Sequence, residues 1–193
     1  MNITDFQESM RGKRLKRWEF VGAMANALDI SVETFAEIGV FEGSASRGFR
    51  CEFPLSLMYL IDPWLADPEY LENGVAPKGF DQKSADLRHK MVEELFEGDP
   101  TVMVMRSKSV GASKLFPDNT LDVVFIDGDH SYEGVMADIK AWLPKIKPGG
   151  LMTGHDFHLI TGVRRAVEDS LGDKWIFSGV NKGDVWAHVK TME

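Results

Sequence analysis

The segment from Leu121 to Phe157 constrains the fold of this 193-residue chain more than any other: LDVVFIDGDHSYEGVMADIKAWLPKIKPGGLMTGHDF. It opens with a short apolar run rich in branched residues, 121–126, which is typical of a strand buried on both faces of a parallel sheet. Apolar residues at helical spacing follow and stop before a proline: Val135, Ile139, Trp142 and Leu143. The turn Pro148-Gly149-Gly150 then leads into a second strand, 151–153. The segment therefore predicts two parallel strands joined by a crossover helix.

Polar residues follow both predicted strands at their carboxyl ends. Asp127-Gly128-Asp129-His130 follows the first strand, and His155-Asp156 follows the second. Because parallel strands joined by a crossover point in the same direction, we expect both clusters at one edge of the sheet. In open α/β sheets this edge binds ligands, so the two clusters are the candidate chemical centre.

Composition and charge indicate one globular domain and exclude some partners. The chain has 44% hydrophobic and 27% charged residues, and its length suits a single domain spanning residues 1–193. Its net charge of -8 disfavours attraction to nucleic acid or to anionic membranes, so we expect neither partner. We expect a small-molecule substrate, and whether the chain forms a homo-oligomer stays open.

Cysteine usage and hydropathy favour the cytoplasm. The single cysteine, Cys51, cannot form an internal disulfide, so nothing requires an oxidising compartment. No apolar run is long enough to cross a bilayer, and the polar N-terminus lacks the apolar core of a signal peptide. We therefore expect a cytoplasmic protein.

The first thirty residues predict a helical extension, 1–30, with a helix over 5–28 that is interrupted by Gly12. A basic run, residues 11–17, lies on this helix in an otherwise acidic protein. We interpret the run as a solvated helix face. The alternative is a lid, or a contact for an anionic group of the substrate.

The next strand, 34–40, runs into a glycine-bearing turn and a helix with the sequence EIGVFEGSAS. Gly39 and Gly43 lack a Cβ, which lets the backbone approach a ligand, although a simple tight connection explains the same spacing. Glu37 lies at the end of the strand, where a carboxylate repels a pyrophosphate and attracts hydroxyls or an ammonium group. The turn therefore disfavours a dinucleotide.

A second candidate ligand contact follows the strand 55–61. Asp62 lies 23 residues after Gly39, close to the offset of about 20 at which an acidic residue meets ribose hydroxyls. Trp64 could flank an adenine ring, and packing explains a tryptophan at this position equally well.

The remaining segments complete the alternation of strands and helices. Residues 65–79 predict a long loop on the substrate side, and loops of this length are either binding loops or disordered segments. A helix follows over 80–96 and carries Leu87, Met91 and Leu95 on one face.

Ser107 and Ser109 follow a strand at 101–105, and either serine suits a cap for the short helix 110–116. A helix and a hairpin then close the chain, with the helix at 163–171, the strands at 175–180 and 184–189, and the turn at 181–183.

Three motifs resemble those of the class I S-adenosylmethionine-dependent methyltransferases, in the branch that includes small-molecule O-methyltransferases. They are EIGVFEGSAS, IDPW and FIDGDHSYEGVMADIKAWLPKIKPGGLMTGHDF, and their order is more specific than any one motif. The resemblance covers roughly residues 34–190. It implies an α/β, Rossmann-like fold, with a seven-stranded, mostly parallel sheet, an antiparallel last strand and helices on both faces. The N-terminal extension and the loop 65–79 lie outside it, and such appendages usually decide the substrate in this family.

The resemblance also implies S-adenosylmethionine as the cofactor. Gly39 and Gly43 would approach its methionine moiety, with Glu37 near the ammonium end. Asp62 would take the ribose hydroxyls, and Asp127 would lie beside the sulfonium. The implied cofactor contacts are Glu37, Gly39, Phe41, Gly43, Ser44, Asp62, Trp64, Ser107, Ser109 and Asp127.

Metal-dependent members of the branch, including the macrolide sugar O-methyltransferases, hold a divalent ion at positions that correspond here to Asp127, His155 and Asp156. His155 replaces the usual oxygen ligand, so magnesium, manganese or a softer ion would be the metal, and a mechanism without metal stays open. His130 matches the proposed base of the sugar methyltransferases, with Asp127 beside it as the second catalytic residue. The alternative role for His130 is a cap on the following helix.

Two other functions stay as alternatives to methyl transfer. A nicotinamide-dependent oxidoreductase would use a similar sheet, but the glycines at 39 and 43 lack the spacing of G-x-G-x-x-G. A non-catalytic cofactor-binding protein would keep the fold without the chemistry, and it would need no base such as His130. We expect methyl transfer to a hydroxyl oxygen of a small molecule, with or without a metal. The sequence does not identify the acceptor.

Overall fold

One sheet organises the fold of the computed structural model, which describes residues 3–10, 13–68, 79–172, 175–177 and 184–191. Within those residues the sheet has seven strands: β1 (Thr34–Ile38), β2 (Leu57–Asp62), β3 (Val102–Arg106), β4 (Leu121–Ile126), β5 (Ile146–Gly154), β6 (Trp175–Phe177) and β7 (Trp186–Val189). Their order across the sheet is β3-β2-β1-β4-β5-β7-β6. Neighbours from β3 to β5 are parallel, and β7 runs antiparallel to both β5 and β6. The predicted Rossmann-like, mostly parallel sheet with a reversed last strand is confirmed.

Helices cover both faces of this sheet, as predicted. The described helices are α1 (Ile3–Met10), α2 (Arg17–Ala27), α3 (Ser44–Glu52), α4 (Gln82–Leu95), α5 (Ser109–Ser113), α6 (Tyr132–Trp142) and α7 (Thr161–Leu171). Helices α1 to α4 contribute to one apolar cluster with Phe35 and Phe125, and α5 to α7 contribute to another with Ala36 and Val124. This alternation follows from the strand itself, because neighbouring side chains point to opposite faces.

Strand β4 lies at the centre of the sheet, and all six of its residues are buried, including Asp122. The Asp122 carboxylate accepts hydrogen bonds from the backbone N–H groups of Glu33 and Thr34 at 3.0 and 2.9 Å. It also pairs with Lys147 Nζ at 2.7 Å. A buried carboxylate with these partners stabilises the pairing of β1 with β4 where the two strands begin. Their parallel register continues to Ile38 and Ile126, so the two strands end together at one edge.

The N-terminal extension differs from the single helix predicted over 5–28. Two helices are present, and residues 13–16 between them are not helical, while Gly12 lies outside the described residues. The Lys16 backbone N–H donates a hydrogen bond to Glu19 Oε2 at 2.8 Å, which stabilises a new helix start. Helix α2 therefore begins inside the basic run, at Arg17.

Helix α4 buries a different face from the one its apolar stripe indicates. Leu87, Met91 and Leu95 are 59%, 46% and 39% exposed. The buried residues of the helix are Ala85 and Val92, so small or branched side chains make its contacts with the core.

Two predicted connections cannot be compared with the structure in full. Residues 69–78 of the loop 65–79 and the hairpin turn 181–183 lie outside the described residues. The predicted antiparallel pairing of the last two strands is nevertheless present between β6 and β7. In the described segments, every helix is too short or too polar to cross a membrane.

Candidate active site

A cavity of about 690 Å³ lies at the carboxyl ends of β1, β2, β4 and β5. Its walls include the connections that follow these strands and β3, part of α6, and Arg17 and Trp18 at the start of α2. Most of the predicted site residues line it: Glu37, Gly39, Phe41, Ser44, Asp62, Trp64, Ser109, Asp127, His130, His155 and Asp156. Gly43 and Ser107 are not among the lining residues.

The turn after β1 requires its two glycines for different reasons. Gly39 has a φ of +88°, and a Cβ there would lie 2.2 Å from the backbone oxygen of Asp127. Gly39 therefore permits the close approach of the connections after β1 and β4. Gly43 has a φ of +74° and directly precedes α3, and a Cβ there would meet Leu95 and Val92 of α4. Its contacts are those of packing.

Asp62 fixes the same turn from the end of β2. Its Oδ2 accepts hydrogen bonds from the backbone N–H groups of Val40 and Phe41, both at 2.9 Å, and Oδ1 accepts one from Trp64 N at 2.7 Å. Burial raises the pKa of Asp62, and these three N–H groups partly oppose that rise. Asp62 thus holds two connections of the cavity wall in place, and its contact with ribose stays a prediction.

Trp64 makes the contacts of a packed side chain. It is 2% exposed, its Nε1 donates a hydrogen bond to the Phe41 carbonyl at 2.9 Å, and its ring lies 4.6 Å from that of His89. These contacts hold the indole in the cavity wall. Of the two interpretations of Trp64, an adenine contact or packing, packing accounts for these contacts.

Glu37 is a fully buried acid in the cavity wall. The Ser46 hydroxyl donates a hydrogen bond to its Oε2, while its buried Oε1 has no hydrogen-bond partner in the part of the chain that is described. Burial raises the pKa of Glu37 to about 8, although the Ser46 hydrogen bond opposes the rise. At neutral pH this shift favours the neutral acid, and Glu37 lies within β1, one residue before its end.

The polar residues after β4 and β5 meet as one cluster. His130 Nε2 lies 3.5 Å from Asp127 Oδ1 and 3.3 Å from Asp156 Oδ2. His155 Nδ1 lies 2.8 Å from Asp156 Oδ1 and 3.6 Å from Asp127 Oδ1. The helix cap proposed for His130 is instead Ser131, whose side chain accepts a hydrogen bond from Gly134 N at 3.0 Å.

Two groups of this cluster, His130 and Asp156, have pKa values that are shifted by their neighbours. Burial lowers the pKa of His130, but the Asp127 carboxylate and the charges of Asp156 and Asp129 outweigh burial, so the net pKa is raised. Burial raises the pKa of Asp156, but His155, His130 and Arg17 outweigh it, so the net pKa is lowered. The cluster therefore favours a charged Asp156 carboxylate beside a His130 imidazole that holds a proton readily.

Arg17 corrects the interpretation of the basic run as a solvated face. Lys13, Arg14 and Lys16 are exposed, whereas the Arg17 Nη1 donates a hydrogen bond to Asp127 Oδ2. Its side chain is 29% exposed and lines the cavity. The sequence of a basic run does not indicate which of its residues has a partner. Here α2 begins at Arg17, which points into the cavity, while the described basic residues before the helix are exposed.

The cluster fits a divalent ion, with a grouping that differs from the predicted ligands. Among the described residues, Asp127, His130 and Asp156 offer ligand atoms within 4.8 Å of one another. Both ring nitrogens of His130 are buried and have no hydrogen-bond partner there, so this imidazole is available either to a bound ion or to the proton of an acceptor. Two carboxylates and an imidazole suit manganese, iron or zinc at least as well as magnesium.

A second polar group at the cavity includes Asp138, which the sequence analysis missed. Ser109 donates its hydroxyl hydrogen to Asp138 Oδ1 and accepts a hydrogen bond from Trp142 Nε1 at 2.8 Å. Asp138 is 4% exposed, and burial raises its pKa to about 7. Neither Ser107 nor Ser109 caps α5, whose first turn lacks a side-chain cap. The sequence signal for Asp138 was its position as a single acidic residue between Val135 and Trp142, on a helix face that is otherwise apolar.

Comparison with known proteins identifies the family. A family model described as "Methyltransferase domain" matches residues 36–157, which is more than half of the chain. The chain is 25% identical over 159 residues to protein R132 of Acanthamoeba polyphaga mimivirus, covering 78% of this chain and 64% of that protein. The chain thus spans less than two thirds of the length of that relative.

Solved structures share the fold at low sequence identity. A protein described as a caffeoyl-CoA O-methyltransferase from Staphylococcus aureus aligns with a TM-score of 0.63 and 14% identity, covering 97% of this chain and 90% of that one. The O-methyltransferase NovP aligns with a TM-score of 0.58 and 17% identity, over 98% and 79%. Spermidine synthase from Thermotoga maritima aligns at 0.53 and 14%, over 86% and 56%. The chain therefore belongs to the methyltransferase-domain family.

Proposed function

We propose that this enzyme transfers the methyl group of S-adenosylmethionine to a hydroxyl oxygen of a small molecule. The observation that carries the proposal is the cluster of Asp127, His130, His155 and Asp156 in the cavity wall. Both O-methyltransferase structures named above share the fold, which supports the same reaction class. Methyl transfer to a hydroxyl needs a proton acceptor beside the donor, and the cluster supplies one.

His130 is the proposed base. The acceptor oxygen attacks the methyl carbon in line with the carbon–sulfur bond, that bond breaks with its electron pair on sulfur, and the hydroxyl proton passes to the imidazole. The carboxylates of Asp127 and Asp156, 3.5 and 3.3 Å from Nε2, stabilise the imidazolium that forms.

The other cavity residues suit the donor and a metal. Gly39 lets the backbone approach the donor, and Asp62 accepts hydrogen bonds from its ribose hydroxyls. Of the two imidazoles in the cluster, we assign His155 to the metal and leave His130 for the proton, so a divalent ion held by Asp127, Asp156 and His155 would raise the acidity of the acceptor hydroxyl. His130 then keeps a lone pair for the proton, because one nitrogen cannot serve a metal and a proton together.

Donor binding is tested with Asp62→Ala. We expect calorimetry to detect S-adenosylhomocysteine binding to the wild type and a loss of affinity of about 10- to 150-fold in the variant, the scale of a hydrogen bond to a charged group. NAD binding more tightly than S-adenosylhomocysteine would contradict the donor assignment and favour an oxidoreductase.

The role of His130 is tested with His130→Ala, assayed with a panel of catechols and sugars. We expect turnover to fall about 10²- to 10⁴-fold while donor affinity stays unchanged, because a base acts on the acceptor's proton. The exposed His158 provides the control His158→Ala. Equal turnover in the two variants would remove His130 from the mechanism.

A further inference from the structure

The guanidinium of Arg17 contacts Asp127, the carboxylate that would also bind the proposed metal ion. Its Nη1 donates a hydrogen bond to Asp127 Oδ2. The next residue, Trp18, packs so closely on Gly48 of α3 that an added Cβ would lie 2.1 Å from the indole ring. Because this packing fixes the backbone beside Arg17, its guanidinium can leave Asp127 by rotation of the side chain, without movement of α2.

The carboxylate oxygens of the cluster all face a nitrogen already. Asp127 presents Oδ2 to Arg17 and Oδ1 to the two imidazoles, at 3.5 and 3.6 Å. Asp156 presents Oδ1 to His155 at 2.8 Å and Oδ2 to His130 at 3.3 Å. A divalent ion on Asp127 would therefore lie close to a guanidinium in a partly buried site, where like charges repel strongly.

We propose that Arg17 and a divalent cation compete for Asp127, so that Arg17 sets the metal affinity of the site. The inference rests on the metal ligands assigned in the proposed function. With the ion bound, the guanidinium rotates off Asp127. With the ion absent, Arg17 supplies the positive charge that the carboxylate requires.

Binding of Mn²⁺ alone, without donor or acceptor, tests the competition. Calorimetry and the loss of the free-ion electron paramagnetic resonance signal would compare wild type, Arg17→Gln and Arg17→Lys. The matched control is Arg14→Gln, because Arg14 is exposed and belongs to the same basic run. Arg14→Gln removes one positive charge, as Arg17→Gln does, but at a site that does not contact Asp127.

We expect Arg17→Gln to bind Mn²⁺ at least about tenfold more tightly than wild type, the scale of one hydrogen bond between charged groups. Arg17→Lys, which keeps the charge, should show a smaller gain, and Arg14→Gln should stay within about twofold of wild type, as expected of a screened surface charge. Equal affinity in Arg17→Gln and Arg14→Gln, or weaker binding in Arg17→Gln, would overturn the competition. If no variant binds Mn²⁺, the competition and the metal assignment both fail, whereas binding of S-adenosylhomocysteine would still support methyl transfer.

Discussion

The charge of a single side chain, Asp138, depends on where the fold buries it. Burial raises its pKa to about 7, although a hydrogen bond from Ser109 opposes the rise, and the nearby charge of Asp129 adds to it. Between a pH of about 4 and 7, the folded protein therefore holds a proton that the unfolded chain has released. The free energy of unfolding should fall as pH rises through this window.

Asp138→Asn should remove this contribution, because the amide is neutral at every pH and keeps an oxygen that can accept from Ser109. We expect the variant to gain stability relative to wild type as pH rises from about 4 to 8, by an amount on the order of a few kcal/mol. Urea unfolding at several pH values measures the difference, with the exposed Asp29→Asn as control. A difference that does not change with pH would show that Asp138 is ionised throughout.

The connection between β1 and α3 requires Gly39 at its closest approach to β4. Gly39→Ala would place a Cβ 2.2 Å from the Asp127 backbone oxygen, in addition to straining a φ of +88°. We expect roughly 3 kcal/mol or more of lost stability, together with weakened donor binding. Urea unfolding and calorimetry check both effects.

Gly98 provides the matched control for this connection. Its φ is +80°, and a Cβ there would have no atom within 4 Å. Gly98→Ala therefore carries the backbone strain without the clash, and it should cost about 1 kcal/mol and leave donor binding unchanged. Equal losses in the two variants would mean that the approach of β1 to β4 tolerates a methyl group.

Across the whole molecule, much of the sheet and its ligand edge could be predicted because few physical rules determine them. Strand β4 has the predicted bounds, Leu121–Ile126, because its apolar run ends directly before Asp127. The meeting of Asp127 with His155 and Asp156 follows from parallel strands joined by a crossover. Neither inference needs the packing of side chains.

The rest of the site depends on contacts between residues far apart in the chain. Arg17 is 110 residues from Asp127, and Ser109 is 29 residues from Asp138. No local sequence pattern predicts hydrogen-bond partners this far apart. The grouping of His130 with Asp127 and Asp156 also depends on backbone detail, since Asp156 lies in irregular structure just after β5 and has a φ of 59°. Residue type and spacing therefore could not distinguish the roles of His130 and His155.

The acidic lining of the cavity should change its protonation when a positively charged donor binds. Among the described residues, eight acidic side chains line it: Glu37, Glu42, Asp62, Asp67, Asp127, Asp129, Asp138 and Asp156. Burial keeps two of them, Glu37 and Asp138, largely or partly protonated near neutral pH. An arriving sulfonium or ammonium group would favour release of those protons. The negative charge of Glu37 and Asp138 would therefore be smaller in the empty cavity than beside a bound cation.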